Sequence, residues 1–152
     1  MATALVSVTN GVVLRPAGQA DLPALARLYV AMAEAHGERM ALAAAEAKLG
    51  RMLASPAQQA VLFERGGLAI GYVLWADLGD HVFIRGFALA PEVRGQGLGR
   101  ALWQRFHAEI LPPKPVRLEV VAPGPEAFWR AMGFASWSTG MRTDHRSGAP
   151  DA

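Results

Sequence analysis

The sequence contains no cysteine among its 152 residues. Disulfide bonds, thiolate metal sites and a cysteine nucleophile are therefore excluded. The four histidines are scattered, and no two of them lie four residues apart, which argues against a zinc site. We expect no metal in the functional site.

Long apolar runs and a strong charge of one sign are also lacking. No apolar stretch reaches the roughly 18 residues that are needed to cross a membrane. The first residues lack the basic and apolar segments of a signal peptide. The formal net charge is only +2, from 15 basic and 13 acidic residues. The sequence therefore predicts a cytoplasmic protein without a nucleic-acid or membrane partner.

The composition is that of a globular protein. Hydrophobic residues make up 52% of the chain and charged residues 18%, which is typical of a chain that buries a core. The length favours a single domain over residues 1–152. A polar tail from about Thr143 is rich in glycine and proline, and we expect it to be frayed.

Hydrophobic periodicity and turn signals predict a mixed order of strands and helices. The predicted strands are Val12–Leu14, Ala60–Phe63, Leu68–Trp75, His81–Leu89 and Val116–Val121, with one or two more over Phe134–Met141. The predicted helices run from Leu22 to about Glu34, with Asp21 as N-cap, and over Ala41–Leu53, Leu98–Ile110 and Glu126–Met132.

This order of elements indicates the fold class. The early hairpins favour antiparallel pairing, whereas the strand–helix–strand unit from His81 to Val121 favours parallel pairing. We therefore expect an α/β (α+β) fold with a mixed, mostly antiparallel central sheet of about six or seven strands. About four helices are expected on both faces of this sheet.

One segment between the fourth strand and the next helix carries the functional signal. Leu89 to Arg100 has the sequence LAPEVRGQGLGR. Glycines at 95, 97 and 99 let the backbone turn and approach another group closely. Unpaired N–H groups and the positive dipole end of the helix would form an anion site, and Arg94 and Arg100 add positive charge on either side.

Two common nucleotide-binding loops do not fit these residues. The mononucleotide loop requires G-x-x-x-x-G-K-[ST], but Arg100 stands five residues after Gly95 and no Lys-Ser or Lys-Thr pair follows. The dinucleotide fingerprint G-x-G-x-x-G is matched by Gly95 and Gly97, but Arg100 occupies the third glycine position. The remaining alternative is a tight turn without a ligand, which does not require three glycines and two arginines.

The segment Arg94–Gly99, RGQGLG, resembles the R-G-x-G-[ILV]-G signature of the GNAT acetyltransferases. Leu89–Pro91 is similar to the V-x-P turn of that family, and Phe128–Phe134 (FWRAMGF) to its F-Y-x-x-x-G-F segment. The resemblance extends over about Val12 to Met141. It implies transfer of an acetyl group from acetyl-CoA to a primary amine of a small molecule or peptide, by direct attack in a ternary complex. Homodimers are common in this family, so a homodimer is also implied for this chain.

The resemblance further implies how acetyl-CoA binds. The pyrophosphate would accept backbone hydrogen bonds from the loop, and the pantetheine arm would follow the fourth strand. The arm would lie in a wedge where strands four and five splay apart, and Gly86 would suit a bulge that starts this splay. The implied cofactor-binding residues are Phe87, Ala88, Leu89, Arg94, Gly95, Gln96, Gly97, Leu98, Gly99, Arg100, Phe128 and Trp129.

The chain departs from the family pattern at both catalytic positions. Trp129 replaces the tyrosine that usually acts as the acid, and an indole N–H is no acid at neutral pH. No Asp or Glu occurs from His81 to Pro91, where many members carry the base. The catalytic group is therefore left unassigned, and a domain that binds acyl-CoA without turnover is the alternative function.

Three weak candidates for the catalytic group remain. Glu119 lies on the predicted fifth strand, where a solvated or ion-paired face is the alternative. His81 opens the fourth strand and titrates in a suitable range, but surface histidines are common at strand ends. Glu34 ends the first helix, where the family places acceptor-binding residues, and a polar interhelical loop is the alternative.

Other side chains suggest contacts with the acceptor. Arg85 is the only charged residue within the fourth strand, and it could bind a carboxylate of the acceptor through a bidentate pair. A cross-strand ion pair is the alternative. Tyr72, Trp75 and Trp137 could line the acceptor pocket or simply belong to the core.

Overall fold

The computed structural model describes residues 9–120, 123–138 and Met141. The strands are β1 (Val12–Pro16), β2 (Gln58–Arg65), β3 (Leu68–Asp77), β4 (Val82–Leu89) and β5 (Val116–Leu118). The helices are α1 (Leu22–Ala35), α2 (Leu42–Leu53), α3 (Leu98–Glu109) and α4 (Pro123–Ala131). These elements fall into two compact units that divide after residue 121, and α4 belongs to the second. The predicted frayed tail lies outside the described residues.

The first unit contains a sheet in the order β1-β2-β3-β4-β5. Neighbouring strands from β1 to β4 are antiparallel, and β5 is parallel to β4. The predicted mixed, mostly antiparallel sheet and the four helices are therefore confirmed. The predicted number of strands is wrong, because the sheet of the described residues has five strands rather than six or seven.

The overestimate arose at the carboxyl-terminal side of the chain. Residues 134–138 do not form a strand. Gly133 has a positive φ of 97° and ends α4, and the Phe134 N–H donates to the Trp129 carbonyl oxygen at 3.0 Å. The chain is thus turned back onto its own helix. Residues 139–140 of the predicted strand lie outside the described part of the chain.

The turn of the β2–β3 hairpin explains why β2 ends and β3 begins at these residues. Arg65 and Leu68 face each other across a two-residue turn made of Gly66 and Gly67. Both glycines have positive φ, 59° and 78°, which gives the turn the twist that a tight hairpin requires. The predicted turn is confirmed.

The start of α1 is held by charged groups. Asp21 is the N-cap residue as predicted, but its carboxylate makes no capping hydrogen bond within the helix. It accepts instead from the Gly18 N–H at 3.0 Å and from Arg15 Nη2 at 2.8 Å. Arg15 also donates to Glu64 on β2. This cluster joins β1, α1 and β2.

Apolar side chains cover both faces of the sheet. The cluster on the α1–α2 face consists of Leu25, Ala26, Leu28, Ala45, Leu49, Ala60, Leu62, Tyr72, Leu74, Ala88 and Ala90. On the α3 face, the Phe87 ring meets Phe63 and Trp103 edge-on, with centroids 6.1 and 5.9 Å apart. The sheet is therefore covered by α1 and α2 on one side and by α3 on the other. None of the described helices combines the length and apolarity that a membrane span requires.

Candidate functional site

The glycine-rich loop joins the end of β4 to the start of α3. One turn of 3₁₀ helix, Pro91–Val93, follows β4, and Gly97 is the N-cap residue of α3. Gly95 and Gly97 have positive φ, 76° and 74°, a conformation that other residues rarely adopt. A Cβ added to either would meet nothing within 4 Å. Glycine is therefore required by the backbone conformation, and the space beside the turn is open.

The first amides of α3 lack acceptors within the helix. The first intrahelical bond runs from the Ala101 N–H to the Gly97 carbonyl oxygen, at 3.3 Å. The N–H groups of Leu98, Gly99 and Arg100 therefore precede the helical ladder. The exposed Arg100 side chain makes none of the ion pairs found among the described residues. With the positive end of the helix dipole, these groups suit a ligand with several anionic oxygens.

Arg94 has a different position from the one expected. Its Nε donates to the Leu89 carbonyl oxygen at 3.0 Å, and its Nη2 is buried without a hydrogen-bond partner in the described part of the chain. The guanidinium thus fastens the loop to the end of β4 and does not simply flank the glycines. Burial raises the pKa of the Tyr72 phenol, and the charge of Arg94 opposes this increase only in part.

A β-bulge interrupts β4 in its middle. Leu74 of β3 lies opposite Gly86, whereas the next residue, Trp75, lies opposite Ile84. Arg85 is therefore the additional residue of the bulge. The predicted bulge is present, with its extra residue one position before Gly86. A Cβ at Gly86 would make only ordinary contacts, of 3.5 Å and longer, so the bulge does not require a glycine there.

The strands β4 and β5 share only a short ladder. Pairing runs from Val82–Val116 to Ile84–Leu118, although β4 continues to Leu89. From Arg85 onward, this side of β4 has no strand neighbour among the described residues. We call this gap the β4–β5 opening; it lies where the family resemblance implies that the two strands splay apart.

The backbone of β4 presents hydrogen-bonding groups to this opening. The Ala90 N–H donates to the Ile70 carbonyl oxygen at 2.8 Å, so residue 90 faces β3. Because successive residues of a strand direct their backbone groups to opposite sides, Leu89 and Phe87 face the opening. Ala88 faces β3 and is buried, so of the three predicted strand positions it is the least suited to bind a ligand.

The three candidates for the catalytic group lie on different elements. Glu119 is exposed and follows β5, which ends at Leu118, so its predicted place within the strand is wrong. It borders the β4–β5 opening. His81 precedes β4 at the end remote from the glycine loop. The rise of eight strand residues places it about 26 Å from Leu89. Its Nδ1 lies 2.6 Å from Asp80 Oδ1, and this contact lowers the pKa of the Asp80 carboxyl.

Glu34 lies in the last turn of α1, beside an open groove that is formed with the loop between α1 and α2. The groove has a volume of about 710 Å³ and is lined by Glu34, Gly37, Glu38, Arg39, Met40 and Ala41. Neither Glu119 nor His81 is among the residues that line this groove. The structure thus does not bring the predicted catalytic candidates together.

The aromatic residues that could line an acceptor pocket also lie in different parts of the structure. Tyr72 belongs to the core on the α1–α2 face. Trp75 lies three positions further along β3 and points to the other face, where its ring meets Phe106 at 6.2 Å. Trp137 is 65% exposed and belongs to the second unit. Sequence reasoning missed Trp103, whose position beside Leu102 widens the apolar face of α3.

The second unit contains the two remaining cofactor-binding candidates. Trp129 packs between Phe128 and Phe134, with ring centroids 4.9 and 5.3 Å apart. Both contacts lie within this unit, so Trp129 has a packing role. The function of Phe128 and Trp129 towards a cofactor stays a prediction.

The residues at the start of α3 suit a diphosphate. Backbone amides at a helix start, together with arginine, bind phosphate oxygens without requiring a cation. Among the residues that the structure describes, no group of three or more histidine, aspartate or glutamate side chains could hold a metal ion.

Comparison with known proteins identifies relatives of this architecture. A possible acetyltransferase from Clostridium difficile 630 has a TM-score of 0.75 and 13% identity, with 90% of this chain and 99% of that chain covered. An acetyltransferase from Thermus thermophilus gives 0.70 and 22%, with coverage of 84% and 88%. Aminoglycoside N-acetyltransferase AAC(6')-Iy, in complex with CoA, gives 0.67 and 17%, with coverage of 89% and 95%.

These likenesses show a shared fold. No curated protein matches the sequence. The family model of the acetyltransferase (GNAT) family matches residues 23–134, which is most of the chain and includes the loop before α3. The chain therefore belongs to the GNAT family of acetyltransferases.

Proposed function

We propose that this protein transfers an acetyl group from acetyl-CoA to a primary amine of a small molecule or peptide, by direct attack in a ternary complex. The observation that carries this proposal is the run of helix-start amides beside an open strand edge. A solved relative of the same fold is a complex with CoA, which supports acetyl-CoA as the acyl donor. The acceptor enters at the same opening.

The residues of the loop and of β4 divide the binding between them. The amides of Leu98, Gly99 and Arg100, with the Arg100 guanidinium, hold the diphosphate. Phe87 and Leu89 direct backbone groups into the β4–β5 opening, where the pantetheine amides lie. Bound acetyl-CoA supplies an acyl group on a thiol whose ordinary pKa, about 8.5, makes it a fair leaving group.

Two further requirements fall on this chain. A backbone N–H that faces the opening, that of Phe87 or Leu89, can donate to the acyl oxygen as charge develops there. The amine must also lose its proton before it attacks, because an ammonium has no lone pair. Glu119 is the favoured proton acceptor, because it borders the opening, whereas His81 lies at the far end of β4.

A non-catalytic acyl-CoA-binding domain is the second candidate function. Trp129 stands where the family has its acid, and β4 contains no aspartate or glutamate. Binding requires only the loop and the open edge, so a sensor would keep both and lose the proton-transfer groups.

Thiol release with a panel of amines separates the two functions. We expect CoA release above the hydrolysis background with at least one amine, and a rise in melting temperature with acetyl-CoA that exceeds the rise with ATP or NAD. Saturable acetyl-CoA binding without release from any amine would establish the binding domain instead. Stronger stabilisation by ATP or NAD would overturn the assignment of the loop.

The cellular location and the partners of the protein are also proposals. We propose a cytoplasmic location, a soluble amine as partner and no nucleic-acid or membrane partner, on the basis of composition and charge. The homodimer implied by the family stays a prediction that sedimentation can check.

A further inference from the structure

Arg85 has an unusual position at the β4–β5 opening. It is the additional residue of the bulge, and it directly follows the last residue of β4 that pairs with β5. Its guanidinium carbon lies 4.7 Å from the centroid of the Phe83 ring, and the side chain is exposed. Stacking on an aromatic ring restricts the orientation of the guanidinium plane.

The register places this side chain on the α1–α2 face of the sheet. Gly86 lies opposite Leu74, which belongs to the core on that face. Phe83 lies opposite Ala76, two residues further along β3 and therefore on the same face. Since Arg85 stacks on Phe83, it lies on this face as well, at the mouth of the opening.

The cross-strand ion pair that is the alternative role for Arg85 is absent from the described part of the chain. If the parallel ladder continued by one residue, Glu119 would lie opposite Arg85, but pairing ends at Ile84–Leu118. Arg85 makes no ion pair within 4 Å among the residues that the structure describes.

The acidic residues near this end of β4 are engaged with other groups. Asp77 accepts from Lys114 at 2.8 Å, and Asp80 contacts His81. Arg117 lies opposite Phe83 in the ladder and adds a second guanidinium to the same face of the sheet. The charge of Arg117 also acts on the Asp80 carboxyl, whose pKa it helps to lower, so Arg85 rather than Arg117 is the candidate for binding an external carboxylate.

We propose that the acceptor is a small amine with a carboxylate close to its amino group, such as an α-amino acid, and that Arg85 binds this carboxylate. This inference rests on the proposed acetyl transfer. A guanidinium binds a carboxylate through two parallel N–H donors, and its fixed plane suits such a pair. With the carboxylate at Arg85, the amino group of a short acceptor lies at the opening, which Glu119 borders on the other side.

The experiment compares free amino acids with their amides, which lack the carboxylate, at a pH where the amino groups of both are mainly unprotonated. We measure kcat/KM for each pair with the wild-type protein, Arg85→Gln, Arg85→Lys and the control Arg51→Gln, which removes an exposed arginine of α2. We expect the wild type to prefer the acid, and Arg85→Gln to reduce this preference about 10- to 100-fold, mainly through KM. Arg85→Lys should retain part of the preference, and Arg51→Gln all of it.

Acetyl-CoA binding provides the second measurement. The thermal shift with acetyl-CoA should be the same in all four proteins, because Arg85 contacts the acceptor and not the diphosphate. A wild-type preference for amides, or an acid preference that survives in Arg85→Gln, would overturn the proposal while leaving acetyl transfer intact.

If the protein shows no turnover, acceptor binding can still test the role of Arg85. Calorimetric titration of the CoA complex with acid and amide then replaces the kinetics. Selective binding of the acid that is lost in Arg85→Gln supports the role of Arg85, although acetyl transfer has failed. Equal binding of acid and amide contradicts it.

Discussion

Gly71 of β3 lies directly against the backbone of Ala88 on β4. A Cβ at position 71 would come to 2.6 Å from the Ala88 carbonyl oxygen and 2.7 Å from the Leu89 side chain. The carbonyl belongs to the ladder between the strands and cannot move aside. We therefore expect Gly71→Ala to lower the free energy of unfolding by about 1–3 kcal/mol, as overpacking does, in urea denaturation.

Gly86→Ala is the matched control for this substitution. Gly86 lies on the neighbouring strand, but its added Cβ would find contacts of 3.5 Å and longer. The change in unfolding free energy should stay within about 1 kcal/mol, because the methyl group fits and also restricts the unfolded chain. Equal destabilisation by the two alanines would show that the close approach at Gly71 is not the cause.

Gly99→Asp tests the anion site by adding a negative charge at the start of α3. Residue 99 lies in the first turn of α3, where a carboxylate interacts favourably with the helix dipole by about 0.3–1 kcal/mol. The same charge would repel a diphosphate by about 1 kcal/mol or more at 4 Å. We expect stability to be kept and the calorimetric Kd for CoA to rise about tenfold or more. Gly99→Asn, neutral and of the same shape, should weaken binding much less; equal weakening would point to steric hindrance instead.

The two arginines of the loop should behave differently. Arg94→Met removes the hydrogen bond to the Leu89 carbonyl oxygen, so we expect about 1.5–3 kcal/mol lower stability as well as weaker CoA binding. Arg100→Met removes an exposed charge and should weaken CoA binding while stability stays within about 0.5 kcal/mol. Urea denaturation and calorimetry of both variants check this split. A stable Arg94→Met protein would contradict the fastening role of Arg94.

The charged cluster at the start of α1 predicts the behaviour in acid. The hydrogen bond from Arg15, and then that from the Gly18 N–H, lower the pKa of the Asp21 carboxyl below its ordinary value of 3.8. The folded state therefore binds this proton less readily than the unfolded state, and the stabilisation is complete above about pH 4 and lost as the pH falls below it. In melting curves from pH 7 to 3, Asp21→Asn should be less stable at pH 7 and lose less on acidification. Parallel curves for the two proteins would exclude this contribution.

The glycine loop could be predicted because its backbone conformation restricts the residue type. Gly95 and Gly97 have positive φ, and few other residues are tolerated there. The position of Arg94 could not be predicted in this way, since a hydrogen bond to the Leu89 carbonyl oxygen depends on how the loop folds back on β4.

The errors in the sheet have similar physical origins. An apolar stretch such as residues 134–138 has the composition of a strand, but its pairing depends on partners that the local sequence does not specify. The bulge was expected at Gly86 because glycine is common in bulges, whereas the additional residue is Arg85. Its place is set by the register of β3 against β4, and two strands must be aligned before that register exists.

The bulge has a consequence for how β4 tolerates deletion. Ile84 lies opposite Trp75, and Phe87 contacts Trp103, so both face α3 although they are three residues apart. Without Arg85, the two would be separated by Gly86 alone and would still alternate correctly. Deletion of Arg85 would therefore keep the apolar side chains of β4 buried, so the core does not require this residue and its retention is left to the function of the opening.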